Sequence, residues 1–275
     1  MKKILNYLIM ISIKNKIFRF VQFFFNYLGL RIHISNIDST KDIQLINKNI
    51  WIPYFDKKDY LMNLYREGLS KSKNEWSNNI SKELRFYSLF QLALYSIKTN
   101  KNYNFAECGC WYGHSAYSIS KILLDNNFAK HLYVFDSFEG GLSDLSKQDR
   151  NLTKQLSKDE IDVQKKIFSS SEIFVSKLLS EFNFVKIHKG WIPNEFIKVE
   201  KELFQFVHID ADLYQPTLDS LEFFYPRLCA KGIIVIDDYN LTQFEGAKKA
   251  VDEFLLKVKY SFFYASPFGG CYILK

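Results

Sequence analysis

From about residue 100 the chain alternates short apolar runs with longer amphipathic stretches, and this rhythm limits the possible folds more than any other feature. The runs near residues 104–108, 131–135, 184–188, 204–210 and 232–237 have the length of strands and are mainly apolar at successive positions. Strands buried on both faces of a parallel sheet read this way. The stretches between them carry helical spacing, so the body is expected to be α/β, with helices on both faces of a mainly parallel sheet. A further helix is expected over residues 81–99, where Leu84, Tyr87, Phe90, Leu94 and Ile97 recur at helical spacing. Each strand ends in a polar or glycine-containing element. Open α/β sheets bind ligands beyond the carboxyl ends of their strands, so candidate chemistry belongs at those endings.

The first ending runs Glu107-Cys108-Gly109-Cys110-Trp111-Tyr112-Gly113-His114-Ser115 into an apolar helix. Gly109 and Gly113 permit a tight turn and a close approach of ligand to backbone, and the helix start offers free N–H groups. The spacing is not GxGxxG, which counts against a nicotinamide site. The second ending, Phe135-Asp136-Ser137-Phe138-Glu139-Gly140, places an acid at the tip of the next strand. A carboxylate there can accept both hydroxyl protons of a nucleotide ribose, and the alternative role for Asp136 is a cap.

The fourth and fifth endings concentrate acids. His208-Ile209-Asp210-Ala211-Asp212 carries two carboxylates that share one side while the chain stays extended. Ile236-Asp237-Asp238-Tyr239 carries two adjacent ones, which can share a ligand only if the chain turns at that point. Carboxylates gathered at one sheet edge repel each other unless a cation neutralises them or a proton is retained. An all-oxygen donor set favours a hard ion such as Mg2+, so Asp210, Asp237 and Asp238 are the candidate metal ligands. Asp212, ahead of Pro216, is open to either a helix cap or chemistry. His188 and His208 precede the strand tips and are expected to pack.

The ordered set Glu107-Cys-Gly109-Cys-Trp111-Tyr-Gly113, Phe135-Asp136-Ser137-Phe138-Glu139-Gly140, Gly190-Trp191, Asp210-Ala-Asp212-Leu213-Tyr214, Tyr225-Pro226, Lys231-Gly232, Asp237-Asp238-Tyr239, Gly246 and Ala250 to Phe254 resembles the macrocin O-methyltransferase family. That family includes enzymes that methylate deoxysugars on macrolide and aminocoumarin antibiotics. The resemblance implies a Rossmann-like class I methyltransferase with a seven-stranded, mostly parallel sheet whose last strand, near residues 271–274, is antiparallel. It implies S-adenosylmethionine as cofactor, with Glu107, Gly109, Trp111, Gly113, Ser115, Asp136, Ser137, Gly190, Trp191 and Asp210 as candidate contacts. It also implies Mg2+ on acids matching Asp210, Asp237 and Asp238. Position 112 is Tyr where the family usually carries Arg, and residues 1–80 show no match.

Two units are expected: an N-terminal helical extension or lid over 1–80 and a catalytic domain over 81–275. The net charge of +7 would suggest a nucleic-acid surface if it were spread over one face. Instead Lys2, Lys3, Lys14, Lys16, Arg19 and Arg31 precede any acid and the remainder is near neutral, so nucleic acid is not an expected partner. Residues 5–13 are too short an apolar run to span a bilayer, and no small-residue cleavage site follows them. Over 14–30 the polar Asn15, Arg19, Gln22 and Asn26 form one helical stripe in an apolar surround. Residues 1–31 are therefore expected to contact a second copy in a homo-oligomer, the catalytic body, or a membrane at its inner face, in an otherwise cytoplasmic protein. Residues 32–79 read as short helices and loops. Cys108, Cys110, Cys229 and Cys271 have no metal-site spacing and are expected to be reduced.

The expected chemistry is methyl transfer to a sugar hydroxyl of a glycan or glycosylated metabolite, with bacterial polysaccharide biosynthesis as the favoured setting. A hydroxyl must be aligned with the methyl and lose its proton, to Asp210 or Asp212. The rival readings are a nicotinamide oxidoreductase and a non-catalytic, membrane-associated subunit of a glycan pathway. The first lacks GxGxxG and gives the acid cluster no role. The second leaves the intact acids at several strand tips unexplained.

Overall fold

A computed structural model describes residues 30–37, 40–47, 58–149, 158–241 and 245–275. The apolar helix with its polar stripe expected over 14–30, and with it the contact assigned to residues 1–31, lies outside the described residues except for the last positions.

The described chain begins with a hairpin, β1 (Leu30–Ile37) and β2 (Thr40–Asn47), paired antiparallel. This departs from the short helices and loops expected there. Leu30, Ile32 and Ile34 alternate with Arg31, His33 and Ser35, and the register sets Ile32 opposite Leu45 and Ile34 opposite Ile43. Period-two patterning of this kind specifies a strand pair. Two helices follow, α1 (Tyr60–Lys71) and α2 (Ile80–Thr99). Asp59 and Asn79 start them by accepting the amides of Met62 and Lys82, each three residues on.

The body is a seven-stranded sheet: β3 (Asn104–Cys108), β4 (Leu132–Asp136), β5 (Val185–Lys189), β6 (Phe204–Ile209), β7 (Leu228–Ile236), β8 (Phe262–Ala265) and β9 (Cys271–Leu274). Their spatial order is β5-β4-β3-β6-β7-β9-β8, and only β9 runs against its neighbours. All five strands expected from the sequence are present within a few residues of their assigned bounds, and the last strand is antiparallel as the resemblance implied. The connecting helices are α3 (His114–Asp125), α4 (Lys158–Ile167), α5 (Glu172–Leu178), α6 (Tyr214–Arg227) and α7 (Gly246–Leu255).

Strand alternation divides the core. Phe105, Val134, Phe206 and Ile233 face one apolar cluster with α1, α2 and α3, while Ala106, Phe135, Val207 and Ile234 face the other with α6 and α7. β3 and β6 are buried along their full length, which places them at the centre of the sheet. Each fully buried Phe there contributes about 2–3 kcal/mol. Cys108, Cys110 and Cys271 are buried, and the four cysteines are unpaired. Among the described residues no helix is long and apolar enough to cross a membrane.

Candidate active site

The strand order reverses between β3 and β6, since β4 and β5 lie to one side of β3 and β6 to the other. The two chain ends leaving that point touch. Gly109 adopts φ +84°, and a Cβ there would sit 1.9 Å from the carbonyl oxygen of Asp210, so only glycine fits. A cleft opens over this junction, lined by Gly109, Trp111, Asp136, Ser137, Gly190, Trp191, Asp210 and Asp212 together with part of the loop that follows β4.

Those eight positions are all among the sequence candidates. Three other cofactor candidates do not line the cleft. Gly113 starts α3 with φ +80°, Ser115 is buried in its first turn, and Glu107 is fully buried on β3. Glu107 instead accepts a 2.8 Å hydrogen bond from Nδ1 of His208, which stands opposite it on β6. Burial works against a charge on His208, but the carboxylate prevails and raises its pKa. His188 is stacked on Phe135 at 5.0 Å between ring centroids. Both histidines pack, as expected.

Asp136 organises the first half of the site. Its Oδ2 accepts the amides of Cys110 (2.7 Å) and Trp111 (2.8 Å), and its Oδ1 accepts that of Phe138 (2.6 Å). The carboxylate thus ties the glycine turn to the tip of β4 and caps the turn that follows, while lone pairs remain for further donors.

The second half is acidic. Carboxylate oxygens of Asp210, Asp237 and Asp238, one from each, lie within 4.8 Å of one another. The chain does turn at the end of β7, which ends at Ile236, so the two adjacent acids converge. Asp212 reaches the cleft differently from the expected extended chain: it takes a left-handed φ of +58°, and its amide donates to Asp238 Oδ2 at 2.8 Å. Nor is Asp212 the cap of α6. That part falls to Asp149, whose Oδ1 accepts the Tyr214 amide at 2.6 Å.

Burial and neighbouring charge raise the pKa of Asp210, Asp212 and Asp238 well above the usual carboxylate value. Asp237 is the exception. Burial pushes it upward too, but Arg85 donates from Nε at 3.0 Å and holds it below that value. Lys82, one turn earlier on α2, is brought down to about 8 by burial, against the pull of Asp210 and Asp237. Arg85, Lys82 and Asp149 were not among the sequence candidates. The only local signal was a Lys and an Arg at i and i+3 on a helix leading into the core.

A crevice at the reversal point of a seven-stranded sheet, with a glycine turn and an acid at the neighbouring strand tip, defines a Rossmann-like class I methyltransferase. The family model described as Macrocin-O-methyltransferase (TylF) matches residues 83–260, and the chain belongs to that family. It is an S-adenosylmethionine-dependent O-methyltransferase. The chain is 23% identical over 207 residues to the demethyldecarbamoylnovobiocin O-methyltransferase of Streptomyces niveus, covering 70% of this chain and 74% of that protein. It is 27% identical over 139 residues to the 8-demethyl-8-(2,3-dimethoxy-alpha-L-rhamnosyl)-tetracenomycin-C 4'-O-methyltransferase of Streptomyces olivaceus, covering 49% of this chain and about half of the relative, 52%. Two solved structures share the fold. The O-methyltransferase NovP superposes with a TM-score of 0.54 at 20% identity, over 68% of this chain and 78% of that one. Calicheamicin methyltransferase CalS11 gives 0.53 at 17% identity, over 80% and 93%.

Proposed function

We propose that the protein methylates a hydroxyl of a sugar residue, using a divalent cation held by Asp210, Asp237 and Asp238. The observation that carries this reading is the approach of the three acids to within 4.8 Å on the edge of the cleft, where Asp210 belongs to both cluster and cleft wall. Oxygens on one cation lie at most twice the metal–oxygen distance apart, about 4.2 Å for Mg2+ and about 5 Å for Ca2+. The three oxygens fit the larger ion as they stand and Mg2+ after a small contraction. The donor set contains only oxygen, which suits either.

When bound, the cation supplies positive charge that favours the alkoxide form of an adjacent hydroxyl. Asp212, on the same cleft wall as Asp210, would accept the hydroxyl proton. Asp136 and the turn from Gly109 would hold the ribose and methionine ends of the methyl donor, with Ser137, Gly190 and Trp191 lining the same cleft. Trp111, Phe168 and Trp191 give the cleft its apolar walls. The named activities of the Streptomyces relatives, which include methylation of a rhamnosyl group, support a saccharide acceptor. Bacterial polysaccharide or its precursor is the favoured source.

Labelled methyl donor should be offered with Mg2+ and a panel of nucleotide sugars, lipid-linked glycans, glycosylated metabolites and simple catechols. Label on a sugar hydroxyl is the expected result. Transfer to catechols alone would overturn the saccharide reading.

A further inference from the structure

We propose that Asp149 is a positioning residue that couples occupancy of the cofactor side of the cleft to the placement of Asp212. Asp149 lies on the stretch that follows β4, and the same stretch contributes Gly141, Leu142 and Ser143 to the cleft wall. Leu142 packs with Leu213, the residue after Asp212, in a small apolar cluster shared with Leu145 and Phe168. Further along the same stretch Asp149 is buried, 3% exposed. Its Oδ2 accepts both the amide (2.8 Å) and the hydroxyl (2.5 Å) of Ser146, and its Oδ1 accepts the amide of Tyr214.

That last contact does what the local sequence does not. The N-cap position of α6 is Leu213, which has no side-chain acceptor. A buried helix start needs a partner for its free amides, and here it comes from 65 residues earlier. Space has been kept for it. A Cβ on Gly246, the first residue of α7, would lie 1.8 Å from Asp149 Oδ1 and 2.8 Å from the Tyr214 nitrogen.

Asp212 is therefore held from both sides in its left-handed conformation, by Asp238 on its own amide and by Asp149 on the amide two residues later. A non-glycine residue persists there only when its surroundings fix it. Because one of those fixtures sits on a loop that lines the cleft, ordering that loop also orders the turn that carries Asp212. The catalytic meaning of this coupling rests on Asp212 as proton acceptor, but the coupling itself does not.

Amide hydrogen exchange of the full chain, with and without S-adenosylhomocysteine, tests it. In the wild type the ligand should slow exchange in 140–149 and 211–216 together. In Asp149→Ala it should protect only the first segment, and exchange at Leu213 and Tyr214 should rise about 5- to 30-fold, the factor that loss of one helix cap carries. Asp149→Asn keeps one acceptor oxygen for the Tyr214 amide but loses the acceptor for Ser146, and should retain the coupling at reduced amplitude. Equal protection of both segments in Asp149→Ala overturns the proposal. If that variant fails to fold, Ser146→Ala removes one of the three hydrogen bonds and should show the coupling at reduced amplitude; unchanged coupling there overturns it equally. Absence of any protection at 140–149 in the wild type would remove the cofactor reading as well, a result distinct from loss of coupling alone.

Discussion

The two halves of the cleft handle buried polarity in opposite ways. Around β3 and β4 the polar groups satisfy one another: Asp136 accepts three backbone amides and Glu107 pairs with His208. Around β6 and β7 four acids converge, and three of them have raised pKa values because burial and mutual repulsion disfavour their charge. Arg85 is the one basic group ion-paired with the cluster among the described residues. The first half satisfies its own polar groups, whereas the second is offset by the protein's own positive charge only in part. Desolvated acids of this kind mark chemistry more often than stability.

The largest expected effect lies in the acidic half. Asp212→Asn should lower methyl transfer by about 10²- to 10⁴-fold, the usual contribution of a positioned base, while S-adenosylhomocysteine affinity by calorimetry stays within a few-fold of wild type. A parallel fall in affinity would place Asp212 on the cofactor instead. In the other half the cost should appear as stability. Glu107→Ala strands His208 in a fully buried position and should reduce unfolding free energy by about 3 kcal/mol in urea titration. An undiminished midpoint would show that the pair is not part of the frame.

Asp136→Ala separates binding from folding within the first half. It leaves three amides without their acceptor and should weaken donor binding about tenfold or more, with a native far-UV spectrum. Unchanged affinity would remove Asp136 from the cofactor site.

A smaller effect should follow from His114, which is buried between Tyr65 and Phe86 with Nε2 2.9 Å from the Tyr65 carbonyl. Burial, reinforced by Lys82, lowers its pKa well below 6.5. A base with a depressed folded-state pKa contributes stability above its unfolded value and loses it as pH falls. Stability should therefore decline below about pH 6.5, and His114→Phe should remove up to about 1.4 kcal/mol per pH unit from that slope. Identical slopes in the two proteins would show that His114 is not protonated on unfolding.

The same contrast explains what could be read in the sequence. Gly109, Trp111 and Asp136 were legible because the turn that uses them is contiguous with its strand. Asp210, Asp237 and Asp238 were legible because acids at successive strand tips have few structural reasons to be there. Arg85 and Asp149 were not, since each reaches its partner only through packing, across 152 residues to Asp237 and 65 to Tyr214. Asp212 was found, but its route to the cleft was misjudged: strand alternation holds only while the chain is extended, and β6 ends at Ile209. The hairpin at Leu30–Asn47 was missed although Leu30, Ile32 and Ile34 alternate, because three apolar positions in a mixed segment fit more than one period.

The central claim is that the acidic half holds a divalent cation without which the methyl group is not transferred. Metal-free protein should be titrated with Mn2+ by calorimetry and assayed for transfer to the sugar acceptor in excess EDTA and again after Mg2+ is restored. The account predicts one Mn2+ site in the wild type, lost in Asp238→Asn, with transfer abolished by the chelator and recovered on adding Mg2+. Full turnover by metal-free protein in EDTA would contradict it.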